Sequence, residues 1–387
     1  MTQDTTTRTT VDPPPLLPIT LAAPKRILVL RAGAFGDIIF ALPSLALLKE
    51  AWPEAEVHWL AKTPFVPFIG AHPQVDEVIP LGKGAGGFLT ALRAIRRNRY
   101  DLIIDIHGNL RSGVLGLLSG CPLRVGFSDA FSKEHNHRFT THQVTPPTIA
   151  LHRIERMITL VRALPGVPRD SAVRLSLPAW RNSLAAMTDE LAELGRTPER
   201  PLVAMHAGAS GKGAIKRWSD DKYAGLVRRL VDSDYQTLLL WGSPQEKAEA
   251  EAIRAAALGE TSEEREDAVL IPVKRADFAG LSALFSQCDA VVGVDTGPVH
   301  LANALGVPVV GVYGPRTPAI YRPWHPGGRI ISKNDEADCP PCDAYRCVNP
   351  KGRVCLEVIG VDEVYDAVVA AVAEGLRPGS EAAAVRG

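Results

Sequence analysis

The sequence predicts an α/β protein made of two doubly wound halves, and three observations carry that prediction. Short apolar runs alternate with amphipathic stretches along most of the chain, polar or glycine-bearing turns follow the runs, and the pattern begins again after a proline-punctuated exit at 165–178. A repeated β–α order implies parallel strands covered by helices on both faces. With 387 residues there is room for two such domains.

In the first half, a strand at 27–30 runs into the turn Arg31-Ala-Gly-Ala-Phe-Gly-Asp37, and a helix is expected over 38–51. Gly33 and Gly36 are spaced G-x-x-G, so the dinucleotide fingerprint G-x-G-x-x-G is absent, which argues against a nicotinamide-dependent dehydrogenase. Asp37 falls where a helix begins. It reads either as an N-terminal cap or as a carboxylate offered at the mouth of the sheet, able to act as a general base. Strands follow at 56–60, 75–79 and 100–105, with helices at 88–98, 110–119 and 152–164. His107, Asn109 and Arg111 lie past a strand's carboxyl end, where open α/β sheets bind ligands. The stretches 124–127 and 133–138 read as a cationic surface, and His135 and His137 as a solvated loop.

The second half opens with a helix at 179–194 and a strand at 202–206. A glycine-rich loop at 207–218 carries Lys212, Lys216 and Arg217, cations suited to phosphates, but no G-K-[ST] closes it into a Walker loop. A helix at 220–231 and a strand at 236–240 lead to Glu246 in the first turn of another helix, where a carboxylate suits a ribose diol or the helix itself. Past a helix at 277–288, the strand 290–294 ends at Asp295. Thr296-Gly297-Pro298 then opens a helix bearing His300. Its free N–H groups and dipole favour an anion such as a phosphate, but directly against the negative Asp295 a hydroxyl-rich group fits better; the turn reads equally as an ordinary strand-to-helix turn with Thr296 as cap and His300 packed on the helix.

Composition excludes some classes. Lys plus Arg number 43 and Asp plus Glu 43, so no global field invites nucleic acid. No apolar run is long enough to span a bilayer, and the N-terminus has no signal-peptide core, so a cytosolic protein is expected.

Five ordered motifs, L-R-A-G-A-F-G-D-I-I-F-A-L-P, D-I-H-G-N-L-R-S, H-A-G-A-S with K-R-W, L-W-G-S-P-Q-E and V-D-T-G-P-V-H, resemble those of glycosyltransferase family nine, the ADP-heptose:lipopolysaccharide heptosyltransferases. The resemblance covers nearly all of 25–373. It implies the GT-B fold, two Rossmann-like doubly wound domains facing across a cleft, with acceptor on the N-terminal side and nucleotide sugar on the C-terminal side. By the same resemblance Asp37 is the general base and Lys216 neutralises the departing diphosphate. Ser210, Lys216, Glu246, Asp295, Thr296, Gly297 and His300 hold the ADP-sugar donor, and Gly36, His107, Arg111 and Arg124 the acceptor, a lipopolysaccharide core or lipid A precursor. Transfer would proceed with inversion and without a metal. The enzyme would be cytoplasmic, with peripheral contact at the cytosolic face of the inner membrane. Another nucleotide sugar or acceptor, or a non-catalytic GT-B-like binding protein, are the alternatives; intact Asp37, Lys216, Glu246 and Asp295 argue against the latter.

The expected organisation is a disordered tail at 1–24, an acceptor domain at 25–178, a nucleotide-sugar domain at 179–360, a helix at 361–375 packing back on the first domain, and a loose tail at 376–387. Cys339, Cys342, Cys347 and Cys355 form C-x2-C-x4-C-x7-C, a spacing that suits a structural zinc as well as four unligated thiols. Cys121 and Cys288 read as inert core residues.

Overall fold

The computed structural model describes residues 14–171, 175–208, 211–259, 265–274 and 276–375. The chain divides into two compact units, Met1–Ala179 and Trp180–Gly387.

The first unit holds strands β1 (Arg26–Leu30), β2 (Glu56–Lys62), β3 (Glu77–Leu81), β4 (Leu102–Asp105), β5 (Leu123–Phe127) and β6 (His142–Val144). They form one parallel sheet in the order β3-β2-β1-β4-β5-β6. Its helices are α1 (Phe35–Ala41), α2 (Pro43–Ala51), α3 (Val66–Gly70), α4 (Gly84–Asn98), α5 (Leu110–Leu118) and α6 (Arg153–Arg162). Ile27, Leu28, Val29 and Leu30 are wholly buried, as expected of a central parallel strand covered on both faces.

Several local expectations are corrected. The helix expected over 38–51 is two, because Pro43 has no N–H to continue a helix and instead starts α2. The cationic surface at 124–127 is strand β5, and the polar β6 joins it at the sheet edge. In the expected tail, 14–24 is docked on its own unit: Leu17 is buried with its N–H on the Ala163 carbonyl at 2.8 Å, and Arg169 donates to the Pro14 carbonyl at 2.5 Å. Residues 1–13 and the C-terminal 376–387 lie outside the described residues.

The second unit repeats the plan. Strands β7 (Leu202–His206), β8 (Gln236–Leu239), β9 (Val269–Leu270), β10 (Ala290–Val294), β11 (Val309–Val312) and β12 (Gly328–Ile331) pair in parallel in the order β12-β11-β10-β7-β8-β9. Counted from its own first strand, that is the order of the first sheet. The helices are α7 (Leu184–Glu193), α8 (Asp220–Asp232), α9 (Pro244–Leu258), α10 (Phe278–Phe285), α11 (Gly297–Ala304), α12 (Pro318–Tyr321), α13 (Val354–Glu357) and α14 (Val361–Gly375).

Helix α8 shows why the elements form where they do. Tyr223, Leu226, Val227, Leu230 and Val231 recur at helical spacing and are all buried. Truncating Leu230 to Ala would cost about 2–5 kcal/mol. The C-terminal helix falls in the second unit, where α14 lies against α8, β10, β11 and β12 with Val364, Val368, Ala371 and Val372 in the core.

In both sheets the order reverses beside the first strand, between β1 and β4 and between β7 and β10. Such a switch point leaves a crevice at the strands' carboxyl ends, where doubly wound folds bind ligands.

Candidate active site

In the first unit, the turn after β1 requires a residue without a side chain. Gly33 has φ +148°, and a Cβ there would stand 2.8 Å from the Phe65 ring. Asp37 follows in the first turn of α1, whose N-cap Ala34 has no side-chain acceptor. The Asp37 side chain is 29% exposed, and both carboxylate oxygens are occupied. Arg31 Nη2 closes tightly on Oδ2, and Arg153 Nη2, from the start of α6, sits 2.9 Å from Oδ1. Burial alone would raise the Asp37 pKa. Arg31 and then Arg153 overcome it and hold the carboxyl well below its usual range. Arg31 is itself buried, which pulls its pKa down against the opposing charge of Asp37, and its Nη1 reaches the Ile106 carbonyl at 3.3 Å.

His107 comes from the far side of the switch point, just past β4. Asp105 fixes its loop, accepting from Gly108 N at 2.9 Å, Ser112 Oγ at 2.8 Å and Asn136 Nδ2 at 2.8 Å. Asn109 caps α5 through a reciprocal pair with Ser112. Burial first, then Arg31, pushes the His107 pKa down to about 3, with Lys62 and Lys133 adding to the effect. The ring is therefore neutral, and its Nδ1 is buried with no hydrogen-bond partner.

His107 lies within electrostatic reach of Asp37, and Gly36 precedes Asp37 within α1. Arg111 and Arg124 are engaged otherwise. Arg111 Nη2 donates to the Gly82 carbonyl at 2.8 Å, while Arg124 donates to the Phe139 carbonyl at 2.9 Å and the Cys121 carbonyl at 2.6 Å. Both brace backbone. Arg31 and Arg153 are the cations that meet the site.

In the second unit, the loop after β7 is pinned at its end. Trp218 is fully buried with Nε1 on the Ile359 carbonyl at 3.2 Å, and Arg217 is held by Asp220 at 2.6 Å and Glu249 at 2.8 Å. Lys216 goes to Asp295. Its ammonium donates to Oδ2 at 2.9 Å and to the Asp295 carbonyl. His300 Nε2, on α11, lies 2.8 Å from Asp295 Oδ1, and Arg316 Nε stands 3.8 Å from Oδ2. Burial would raise the Asp295 pKa; the His300 hydrogen bond and then the Lys216 charge bring it down to about 2. Asp295 is therefore an ionised centre at the carboxyl end of β10.

Thr296 is the N-cap of α11 by backbone alone, and its buried Oγ1 has no partner. Gly297 begins the helix. Glu246 stands in the first turn of α9, with Oε2 accepting from Gly242 N at 2.7 Å. It reaches over Gly208, where a Cβ would come within 2.5 Å of Oε1. His206, buried beside it, keeps an unpartnered Nδ1. Ser210 lies outside the described residues.

Sequence reading missed Arg31, Arg153 and Arg316. Arg31 lies inside a motif already singled out, and Arg316 ends the Tyr-Gly-Pro-Arg segment that follows β11. Arg153 carried no local signal.

Among the described residues no group of three or more metal-ligating side chains is gathered to hold an ion, so the zinc expectation at Cys339, Cys342, Cys347 and Cys355 finds no assembled ligand set. Cys342 is exposed, Cys347 gives its thiol to the Gly352 carbonyl at 3.4 Å, and Cys355 is buried. Burial, with the neighbouring Cys339, pushes the Cys355 thiol up to about 11.

A family model described as glycosyltransferase family 9 (heptosyltransferase) matches residues 89–352. Lipopolysaccharide heptosyltransferase 1 of Pseudomonas aeruginosa is 25% identical over 333 residues, covering 83% of this chain and 87% of that protein. Lipopolysaccharide heptosyltransferase 2 of Escherichia coli is 26% identical over 315 residues, covering 79% and 87%. The solved structure of E. coli ADP-heptose lipopolysaccharide heptosyltransferase II superposes with a TM-score of 0.71 at 24% identity, covering 90% of this chain and 98% of that one. With the two matching strand orders, these likenesses make the fold class GT-B, two Rossmann-like units.

Proposed function

Because this chain belongs to glycosyltransferase family 9, we propose that it is an inverting, metal-independent heptosyltransferase moving a heptose from ADP-heptose to an inner-core lipopolysaccharide acceptor. The observation that carries this reading is the placing of one ionised carboxylate at each unit's switch point, Asp37 among arginines and Asp295 beside Lys216 and His300.

The chemistry divides between the two sites. Asp37 takes the proton of the acceptor hydroxyl as that oxygen bonds to the anomeric carbon. The bond from that carbon to the diphosphate breaks on the opposite face, its electron pair leaving with ADP. One displacement inverts the carbon. Developing charge on the diphosphate is met by Lys216 and by the free N–H groups at the start of α11. An ammonium has three hydrogens. Asp295 takes two through its carboxylate and carbonyl, which aims the third at the leaving group. His300 and Arg316 keep Asp295 ionised and in place, and its carboxylate also accepts from sugar hydroxyls. Glu246 receives the ribose diol beside Gly208.

The acceptor is a lipopolysaccharide core or lipid A precursor, met at the cytosolic face of the inner membrane by peripheral contact. Among the described residues no helix is long and apolar enough to cross a membrane. The test is ADP release from purified protein given ADP-heptose with and without a truncated core acceptor. Release that depends on the acceptor supports the reading. A protein that binds ADP-heptose but turns over with no core acceptor refutes the acceptor assignment, and one that does not bind ADP-heptose refutes the donor.

A further inference from the structure

Lys216 and Arg316 reach Asp295 from turns that follow different strands, and one irregular segment, 332–353 between β12 and α13, braces both turns. Lys216 ends a short 3-10 helix, Gly211–Lys216. The last carbonyls of a helix have no partner within it and carry the negative end of its dipole, so a cation placed there fixes the turn. Arg353 is that cation. Its Nη1 donates to the Arg217 carbonyl at 2.7 Å and to the Ala214 carbonyl at 3.3 Å, one on each side of Lys216 in the chain. Near the middle of the segment, Asp343 does the same for the other turn. Its carboxylate accepts from Thr317 N at 3.2 Å and Thr317 Oγ1 at 2.9 Å, and its carbonyl from Arg316 Nη1 at 2.7 Å. The segment is fastened in turn. Trp218 Nε1 and Lys222 Nζ both donate to the Ile359 carbonyl, at 3.2 and 2.9 Å, and so tie α13 to the loop that Arg353 holds.

We propose that Arg353 is a positioning residue for the transfer, holding the 214–217 carbonyls so that the Lys216 ammonium keeps its direction toward the departing diphosphate. This rests on the reading of Lys216 as the group that meets that charge. A lysine is a point charge on a flexible four-carbon stem, so its aim depends on where both ends are held. Asp295 fixes the ammonium, and Arg353 fixes the backbone from which the stem departs. Losing the second hold lets the charge swing off line, and a displacement of about 1 Å in such a group costs about a hundredfold in rate.

The test is a double-mutant cycle on the full chain: wild type, Arg353→Ala, Lys216→Ala and the pair, assayed for transfer from ADP-heptose to a truncated core acceptor, with circular dichroism melts to confirm folding. Arg353→Ala should lower kcat about tenfold or more and leave the acceptor KM unchanged. On the Lys216→Ala background the same change should alter kcat by less than about twofold, because the group it acts through is gone. Arg353→Lys, which keeps a cation within reach of a carbonyl, should recover about threefold or more of the loss. A kcat within about twofold of wild type in Arg353→Ala, or a loss that recurs in full on the Lys216→Ala background, overturns the proposal. If Arg353→Ala does not fold, Arg353→Gln enters the same cycle and the same two outcomes decide. If the wild type turns over no ADP-heptose, the functional reading has failed on its own. Positioning is then read without turnover, from the rate at which formaldehyde and cyanoborohydride methylate Lys216, whose side chain is 14% exposed. Lys222, held by the Leu356 and Ile359 carbonyls, is the reference. Arg353→Ala should raise the Lys216 rate about threefold or more relative to Lys222. An unchanged Lys216 rate, or a rise shared equally by Lys222, overturns the positioning role.

Discussion

The two units share a strand order and each sets an ionised aspartate at its switch point, yet the surroundings of the two carboxylates differ in kind. Asp37 is 29% exposed and flanked by two guanidiniums, Arg31 from the turn after β1 and Arg153 from α6. Asp295 is 11% exposed and held by an ammonium, an imidazole and a more distant guanidinium, with Lys216 bound through two atoms of the same residue. On the proposed mechanism one fold plan would serve two tasks, proton transfer in the first unit and charge stabilisation in the second, through the choice of cations rather than through the sheet.

The largest expected effect separates these tasks. Asp37→Asn should lower kcat by about 10²–10⁴-fold, the range for a lost general base, while ADP affinity measured by calorimetry stays at the wild-type value. A variant that loses ADP binding as well would erase the division. Lys216→Ala should lower kcat by about 10²–10³-fold, as for a lost oxyanion donor, and should also weaken ADP binding, which Asp37→Asn does not.

Acid stability sharpens the contrast next. His107 is held to about 3 in the folded chain against an ordinary 6.5, so between those values the unfolded chain binds a proton that the native one refuses. Stability contributed by the neutral ring is present above pH 6.5 and falls as pH drops toward 3. Asp295 is depressed to about 2 from 3.8, so its contribution is complete above pH 3.8 and is lost only as pH falls toward 2. At full strength that contribution is on the order of 2 kcal/mol. Melting temperature followed against pH should thus flatten between 6.5 and 3 in His107→Asn, and below 4 in Asp295→Asn. Identical profiles for the two variants would contradict the assignment. The smallest effect is none: EDTA should leave ADP release unchanged, because Lys216 and the start of α11 supply the charge stabilisation. A loss restored by a divalent cation would overturn that.

Much of the plan is legible in the sequence because it depends on local signals. The runs at 27–30, 202–205 and 290–294 read as buried strands because they hold no polar side chain, and Asp37, Lys216 and Asp295 stand past turns whose position those strands set. What is not legible depends on distance along the chain or on packing. Arg153 meets Asp37 across 116 residues, a pairing no local pattern announces. Strand β6, His-Gln-Val, is too short and polar to show a period, and forms because β5 offers it an edge. Arg111 and Arg124 looked available for ligands, since a side chain's charge is visible in sequence but the carbonyls it braces are not. The apolar stripe of α14 shows that the helix packs, but not that α8 and the strands β10, β11 and β12 are its neighbours.

The proposed transfer is a single displacement, with a base in one unit and the departing ADP held in the other. The most direct measurement is the anomeric configuration of the transferred heptose, read by NMR coupling constants in product made from ADP-heptose and a truncated core acceptor. A single displacement gives the configuration opposite to that of the donor. Retention would contradict it, since that outcome requires a route in which Asp37 does not act as the base of one in-line step.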